Sequence, residues 1–367
     1  MLDGMITVYK EAGFTSNDVV AKLRGILRQK KIGHTGTLDP DAEGVLPVCL
    51  GKGTKLCELI ADRDKEYEAV LRLGVVTDTQ DISGAVLSRL PDEAVRERVT
   101  GTALRAAAAG FVGDYDQIPP MYSALKVGGK KLYELARAGQ TVERAPRRVH
   151  IYELEIGRVA LPLVTMRVRC SKGTYIRTLC HDLGEKLGVG GTMESLLRTR
   201  VGDFTLSEAK KLSELEAMVR GESAQADSSQ AGALQAENAG AGCAQAGEAQ
   251  VGEAQAGALH AEQKRSAQAG ESHAEQKRST QTIQALVRPI ESFFKDAPRG
   301  VVRPEALPYL QNGNPLRPGQ VQFTAGEAFA PILHNGERVR VCEPDGAFRA
   351  LYRYDAAKKM LTVEKMF

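Results

Sequence analysis

Residues 33–40 read Gly33-His34-Thr35-Gly36-Thr37-Leu38-Asp39-Pro40. Ala42-Glu43-Gly44-Val45-Leu46-Pro47 and Gly51-Lys52-Gly53-Thr54-Lys55 follow closely. A histidine, carboxylates, glycines and prolines crowd into a stretch too irregular for a plain helix. Loops of this make hold a side chain where a regular element cannot. The candidate held group is Asp39. Taken alone, Asp39-Pro40 reads first as a turn initiator and His34 as a structural hydrogen-bonder, so the rest of the chain has to decide.

Immediately upstream, Thr15-Ser16-Asn17-Asp18 offers helix caps. Val19, Val20, Leu23, Ile26 and Leu27 follow at helical spacing, and basic residues at 28–31 close the helix. Downstream, Tyr67-Glu68-Ala69-Val70-Leu71-Arg72-Leu73 alternates as a strand. Met121 to Val127 is a second strand candidate, with Gly128-Gly129 to turn it and a helix from Tyr133 to Arg137 that stops at Gly139. Val164, Met166, Val168 and Cys170 alternate with Thr165, Arg167 and Arg169, a strand with one basic face. Ser171-Lys172-Gly173-Thr174 then leads into a helix carrying Tyr175, Ile176, Leu179, Leu183 and Leu187. Strands and helices mix without a strict βαβ rhythm. The expected class is α+β, with a mixed or mostly antiparallel sheet and flanking helices.

The chain of 367 residues is long enough for more than one domain, and its 26% charged and 43% hydrophobic residues are ordinary for a globular protein. Composition divides it in three. Residues 1–220 are patterned throughout and form the expected catalytic domain. Residues 221–282 are dominated by Ala, Gly, Gln and Glu, contain no aromatic, and repeat His260-Ala261-Glu262-Gln263-Lys264-Arg265-Ser266 at His273 to Ser279. Such a segment buries too little apolar surface to offset its ordering entropy and is expected to be a disordered insertion. Residues 283–367 regain pattern: three short alternating runs near 339–343, 348–354 and 360–364 predict a small β-rich domain.

The formal charge of +3 hides a contrast. The insertion holds four basic and eight acidic residues, so the remainder, 45 basic against 38 acidic, carries +7. A basic folded part suits a polyanionic partner without specifying one. The six cysteines show no C-x-x-C pair and no metal-ligand spacing with the six histidines, so reduced thiols and no metal are expected. Met1 to Ile6 lacks a basic region followed by an apolar run, and no apolar stretch approaches bilayer-spanning length. The cytoplasm, with no membrane attachment, is therefore the expected setting.

Several chemistries fail on spacing. Gly51-Lys52 is followed by Gly53 rather than Ser or Thr, so there is no phosphate-binding loop, and no G-x-G-x-x-G supports a nucleotide cofactor. Asp39 and Glu43 could make a two-carboxylate hydrolase pair, but no substrate-binding aromatics flank them. What stands out is a combination in fixed order: His34-x4-Asp39, Lys65-x-Tyr67, Pro119-Pro120-Met121-Tyr122-Ser123-Ala124-Leu125-Lys126, and Lys172-Gly173-Thr174-Tyr175-Ile176-Arg177-Thr178. Together these closely resemble the TruB family of bacterial tRNA pseudouridine synthases, strongly over about 1–215 and more weakly over 283–367.

The resemblance implies a pseudouridine synthase-like core, a small β-rich C-terminal RNA-binding domain, and isomerisation of uridine 55 in the T-arm stem-loop of tRNA by a monomer without cofactor. It implies Asp39 as the nucleophile, His34 as a residue that helps keep the target base out of its stack, and Tyr67 as the aromatic on which the flipped uracil lies. Tyr175 and Leu196 would be pocket residues, Arg177 the partner of the aspartate, and Lys55 an RNA contact. Beside a guanidinium, Asp39 is expected to be held below the ordinary carboxylate range. Arg167, Arg169, Lys172, Arg198 and Arg200 are expected to meet phosphates. The rival reading is a non-catalytic tRNA-binding or folding factor.

Overall fold

The alternation of buried and open positions along Lys65–Leu73 builds the centre of the fold. The computed structural model describes residues 1–220, 283–323 and 332–367, so the expected insertion at 221–282 lies outside the described residues. Strands β1 (Gly4–Lys10), β2 (Ile32–His34), β3 (Glu43–Leu50), β4 (Lys65–Leu73), β5 (Gly113–Gln117), β6 (Arg147–Ala160), β7 (Leu163–Cys170), β8 (Gly191–Val201) and β9 (Phe204–Thr205) form one sheet. Its order is β1-β3-β8-β4-β7-β6-β5, with β2 added to β3 and β9 to β8. All pairings are antiparallel except β3 with β8. That parallel contact is very close. Gly44 has φ +106°, and a Cβ there would lie 2.2 Å from the Arg198 carbonyl oxygen, so the motif glycine is required on both counts.

The predicted helix forms as Ser16–Ile26. Thr15 and Asp18 make the reciprocal capping box, and Val19, Val20 and Leu23 are buried. The helix Ile176–Lys186 lays Leu179, Cys180 and Leu183 onto β4, β7 and β8. There they join Leu71, Val164, Val168 and Leu104 in the main core. Each fully buried Leu or Val contributes roughly 1.5–3 kcal/mol relative to exposure.

The strand expected at Met121–Val127 is reduced to Lys126–Val127, which pairs with Lys130–Lys131 through a Gly128-Gly129 turn. Residues 121–124 are irregular instead. Their carbonyls serve other partners: that of Tyr122 accepts from Arg177, and that of Ser123 from the Tyr133 N–H.

The C-terminal pattern yields β10 (Arg299–Val302), β11 (Val321–Phe323), β12 (Arg338–Cys342), β13 (Phe348–Asp355) and β14 (Met360–Met366), in the order β11-β10-β12-β13-β14. Met5, Val45, Leu56 and Ile60 pack with Phe294, Leu351 and Phe367 in a shared apolar cluster, and Met5 exchanges two backbone hydrogen bonds with Arg288. The described residues of Met1–Leu212 and Val287–Phe367 fall in one compact unit. Among the described residues no helix is long and apolar enough to cross a membrane.

Candidate active site

Between β2 and β3 the chain leaves the sheet for eight residues and is pinned at nearly every step. Thr35 N–H donates to the Pro47 carbonyl (3.2 Å), and Leu38 N–H to the Ser16 hydroxyl at the start of the first helix (2.9 Å). The buried Lys10 ammonium donates to the carbonyls of Pro40 (2.8 Å) and Ala42 (2.5 Å). Leu38 and Ala42 sink into the core on either side. Asp39 is left between two anchors with its carboxylate facing a cleft of about 280 Å³. Desolvation lowers the Lys10 pKa to about 8, while Asp41, Glu43 and Asp39 oppose it.

Across the cleft stands Arg177, in the first turn of the helix Ile176–Lys186. Gln117 fixes that turn by accepting from Tyr175 N–H (2.7 Å) and donating to its carbonyl (2.9 Å). The guanidinium grips Asp39 through an ion pair, Nε to Oδ2 at 2.9 Å, and a hydrogen bond, Nη2 to Oδ1 at 3.2 Å. Its remaining donors reach the carbonyls of Tyr122 (2.8 Å) and Thr79 (3.0 Å), and Asp81 Oδ2 (3.4 Å). Asp81 is itself held by the hydroxyls of Thr79 (2.8 Å) and Ser83 (2.6 Å). One nearly buried cation thus serves two carboxylates in a rigid fork.

The electrostatics differ from the sequence expectation. Asp39 is 37% exposed yet ringed by protein, and this desolvation raises its pKa above the ordinary value. Arg177 and Lys10 pull it down, but the second carboxylate, Asp81, adds to the rise. Burial and a like charge outweigh the ion pair, so the carboxyl is not held below its usual range.

The cleft walls are Thr35 to Leu38, Ala61, Lys65, Tyr67, Ser171 to Ile176, Leu196 and Arg198. Tyr67 on β4, Leu196 on β8 and Tyr175 therefore meet Asp39 and Arg177 from three distant parts of the chain. Burial raises the Tyr67 phenol to about 12, with Arg198 opposing, and raises Tyr175 as well. His34 does not line this cleft. It sits just behind, with Nδ1 buried and unbonded, and burial lowers its pKa, favouring the neutral ring. Lys55 is not brought to the cleft either: its Nζ donates to the Met366 carbonyl on β14 (2.6 Å).

The expected phosphate contacts mostly carry acidic partners instead. Arg167 pairs with Glu155 and Glu66, Arg169 with Glu153 and Asp64, Lys172 with Asp62, and Arg200 with Asp64 and Glu66. Arg198 is buried, with Nε donating to the Val45 carbonyl (2.8 Å). Asp39 and Glu43 line different cavities, so the two-carboxylate hydrolase pair is not assembled. Sequence reading missed Asp81, Thr79 and Lys10. Nothing in the local pattern of Thr77-Asp78-Thr79-Gln80-Asp81 distinguishes it from an ordinary polar turn. Among the described residues no group of three or more His, Cys, Asp or Glu is placed to hold a metal.

The arrangement offers an oriented carboxylate, a flat aromatic wall and apolar padding, the requirements for holding a planar ring against a nucleophile. Comparison with known proteins agrees. Residues 24–176 match the TruB family pseudouridylate synthase N-terminal domain, and residues 177–236 the tRNA pseudouridylate synthase B C-terminal domain. The chain is 42% identical over 375 residues to tRNA pseudouridine synthase B of Lachnoclostridium phytofermentans, covering 100% of both. It is 50% identical over 222 residues to the protein of that name from Alkaliphilus oremlandii, covering 59% of this chain and 71% of the relative. The fold is shared with the solved structure of an H/ACA RNP bound to a substrate RNA containing 2'-deoxyuridine (TM-score 0.60, 21% identity, 99% of this chain and 84% of that one). It is likewise shared with that of a Cbf5-Nop10-Gar1 complex (TM-score 0.59, 23% identity, 99% and 84%).

Proposed function

The chain belongs to the TruB family of pseudouridylate synthases, and from that membership we infer that it converts uridine to pseudouridine in tRNA, at position 55 of the T-arm. The observation that carries the reading is the Asp39 carboxylate, open to a cleft and held by Arg177 through an ion pair and a hydrogen bond. A protein that only bound or folded tRNA would have no need of that pair.

The reaction breaks the N-glycosidic bond, turns the uracil and rejoins it to the ribose through carbon 5, with loss of the carbon-5 proton. Nothing is oxidised or hydrolysed overall, so the reading calls for no cofactor. The base must first leave its stack, at a cost of a few kcal/mol. Stacking on Tyr67 offsets roughly 1–3 kcal/mol, and Leu196 and Tyr175 complete the slot. Asp39, ionised, is the nucleophile, attacking at the sugar or at the ring. His34, just behind the cleft, braces the loop that keeps the base extruded.

Outside the cleft the substrate is a polyanion. Lys55 shares a surface with Lys31, Lys52, Lys365 and Arg349. Burial and their like charges lower its pKa. At that surface Asp3 accepts the Lys52 backbone N–H, and Arg349 pairs with Glu343. The lysines of this cluster, rather than the paired arginines of β7, suit the RNA backbone, with the C-terminal sheet extending it. The protein is read as a monomer acting on tRNA in the cytoplasm.

The test is release of tritium from carbon-5-labelled uridine in a T-arm hairpin. Release with pseudouridine as product supports the reading. Binding without release would favour the folding-factor alternative, and free uracil a hydrolase.

A further inference from the structure

Gln117 is 1% exposed and lies just before the Pro119–Lys126 motif, outside every segment that pointed to the site. It ends β5 in register with Arg147, the first residue of β6, so it stands at the root of the excursion 118–146 between those strands. Its side-chain amide serves the backbone of a single residue. Oε1 accepts from the Tyr175 N–H (2.7 Å), and Nε2 donates to the Tyr175 carbonyl (2.9 Å). Only one orientation of the amide satisfies both bonds. Together they mimic the paired bonds that a residue makes to its neighbour across an antiparallel ladder.

Tyr175 is where loop becomes helix. Its backbone is extended (φ −96°, ψ 108°), its side chain makes no capping bond, and its carbonyl also accepts the Leu179 N–H (3.1 Å) that starts the helical ladder. Arg177 follows in the first turn. A second tie runs in parallel, from the Tyr122 carbonyl to Arg177 Nη2 (2.8 Å). The stretch 117–122 therefore holds the turn 175–177 at two points, one on its backbone and one on the guanidinium. We propose that Gln117 is a positioning residue for Arg177: by fixing the backbone at Tyr175 it sets the angle from which the guanidinium meets Asp39. Gln117 does not line the cleft, so it acts through the turn. A displacement of about 1 Å at the reacting group costs on the order of a hundredfold in rate, which makes a buried amide spent on one backbone residue worth keeping. The proposal rests on the reading of the cleft as the site of uridine isomerisation, and it adds a residue to which the resemblance gives no role.

The test reads catalysis and geometry separately. Gln117→Ala and Gln117→Glu are made with Arg177 and with Arg177→Met, and folding is checked by circular dichroism. Gln117→Ala should lower kcat by about tenfold or more, while affinity for a T-arm hairpin stays within about threefold. In the Arg177→Met background it should cost little further, because the group it positions is already gone. Protonated, the carboxyl of Gln117→Glu offers one acceptor and one donor, as the amide does; ionised, it has no proton for the Tyr175 carbonyl. Its kcat should therefore fall as pH rises, over a range where the unsubstituted protein is level. Independently, 15N-labelled arginine NMR, with the Arg177 Nε–H signal assigned from Arg177→Met, should show that proton exchanging with water about tenfold faster in Gln117→Ala. Equal losses in both Arg177 backgrounds, a Gln117→Glu loss that is flat with pH, or an unchanged exchange rate in a folded variant would overturn the proposal. If the unsubstituted protein releases no tritium, the functional reading fails while the NMR arm still decides whether Gln117 holds Arg177.

Discussion

Arg177 reaches both oxygens of Asp39, Nε to Oδ2 at 2.9 Å and Nη2 to Oδ1 at 3.2 Å, from helix to loop across the cleft. Both carboxylate oxygens are engaged by the guanidinium, and the carboxylate still lines the cleft. A side chain held this way has lost its rotational freedom before substrate arrives, so orientation costs nothing at the moment of attack. The pair also sets how the site responds to substitution and to pH.

Asp39→Asn keeps size and removes the negative charge. Isomerisation of a T-arm hairpin should fall by roughly a thousandfold or more, because the attacking group is gone rather than misplaced. RNA affinity, measured by filter binding, should stay within about threefold. Retained turnover would remove Asp39 from the nucleophile role.

Arg177→Met should move the acid limb of the kcat/KM profile. Asp39 must be ionised to act, and its pKa is already raised by burial. Losing the adjacent cation raises it by a further ~1–3 pH units, so activity should disappear at a higher pH than in the wild type. A loss of rate with an unshifted limb would mean that Arg177 orients Asp39 without tuning it.

Asp81→Asn should shift that limb the other way. Asp81 contributes to the raised Asp39 pKa, so removing its charge should extend activity to lower pH. Its bond to Arg177 Nη1 is weakened by the same change, so the plateau rate should fall by about tenfold. The opposite signs of the two shifts, recorded on one buffer series, are the check.

Salt dependence should locate the RNA backbone. Replacing Lys31 and Lys52 by Gln should reduce the slope of log affinity against log salt by about 1 for each phosphate that is no longer neutralised. Arg167→Gln should leave it unchanged, because Arg167 is already neutralised by Glu155 and Glu66.

Gly44→Ala should destabilise the fold by about 3 kcal/mol or more, combining left-handed backbone strain with a backbone clash. The new methyl group would sit 2.2 Å from the Arg198 carbonyl oxygen, at the parallel β3–β8 contact. Denaturant unfolding measures it; an unchanged midpoint would mean the two strands can part without cost.

Much of this fold is legible locally. Thr15 and Asp18 announce the helix they cap, and the alternation of Lys65–Leu73 and Leu163–Cys170 survives in the burial of their side chains. Motif order and the family resemblance it carries single out Asp39, Tyr67, Tyr175, Arg177 and Leu196, and the fold brings these five to one cleft. The misreadings share a cause. Met121–Ala124 alternates plausibly, but its carbonyls are recruited by Arg177 and Tyr133. Arg167 and Arg169 do occupy one polar face. The facing strands, β6 and β4 with the turn before it, supply carboxylates that no pattern within β7 reveals.

Residue order was enough to say what most segments would become and which side chains were candidates for chemistry, because capping, periodicity and turn chemistry act within a few residues. Which charges meet was settled only by the fold: that Asp39 answers to Asp81 as well as Arg177, that Arg198 is buried against Tyr67, and that Lys55 reaches toward the C-terminal sheet. Charge and burial depend on what lies across a strand register or a cleft. Those neighbours come from remote parts of the chain, and only folding brings them within the few ångströms over which desolvation and ion pairing compete.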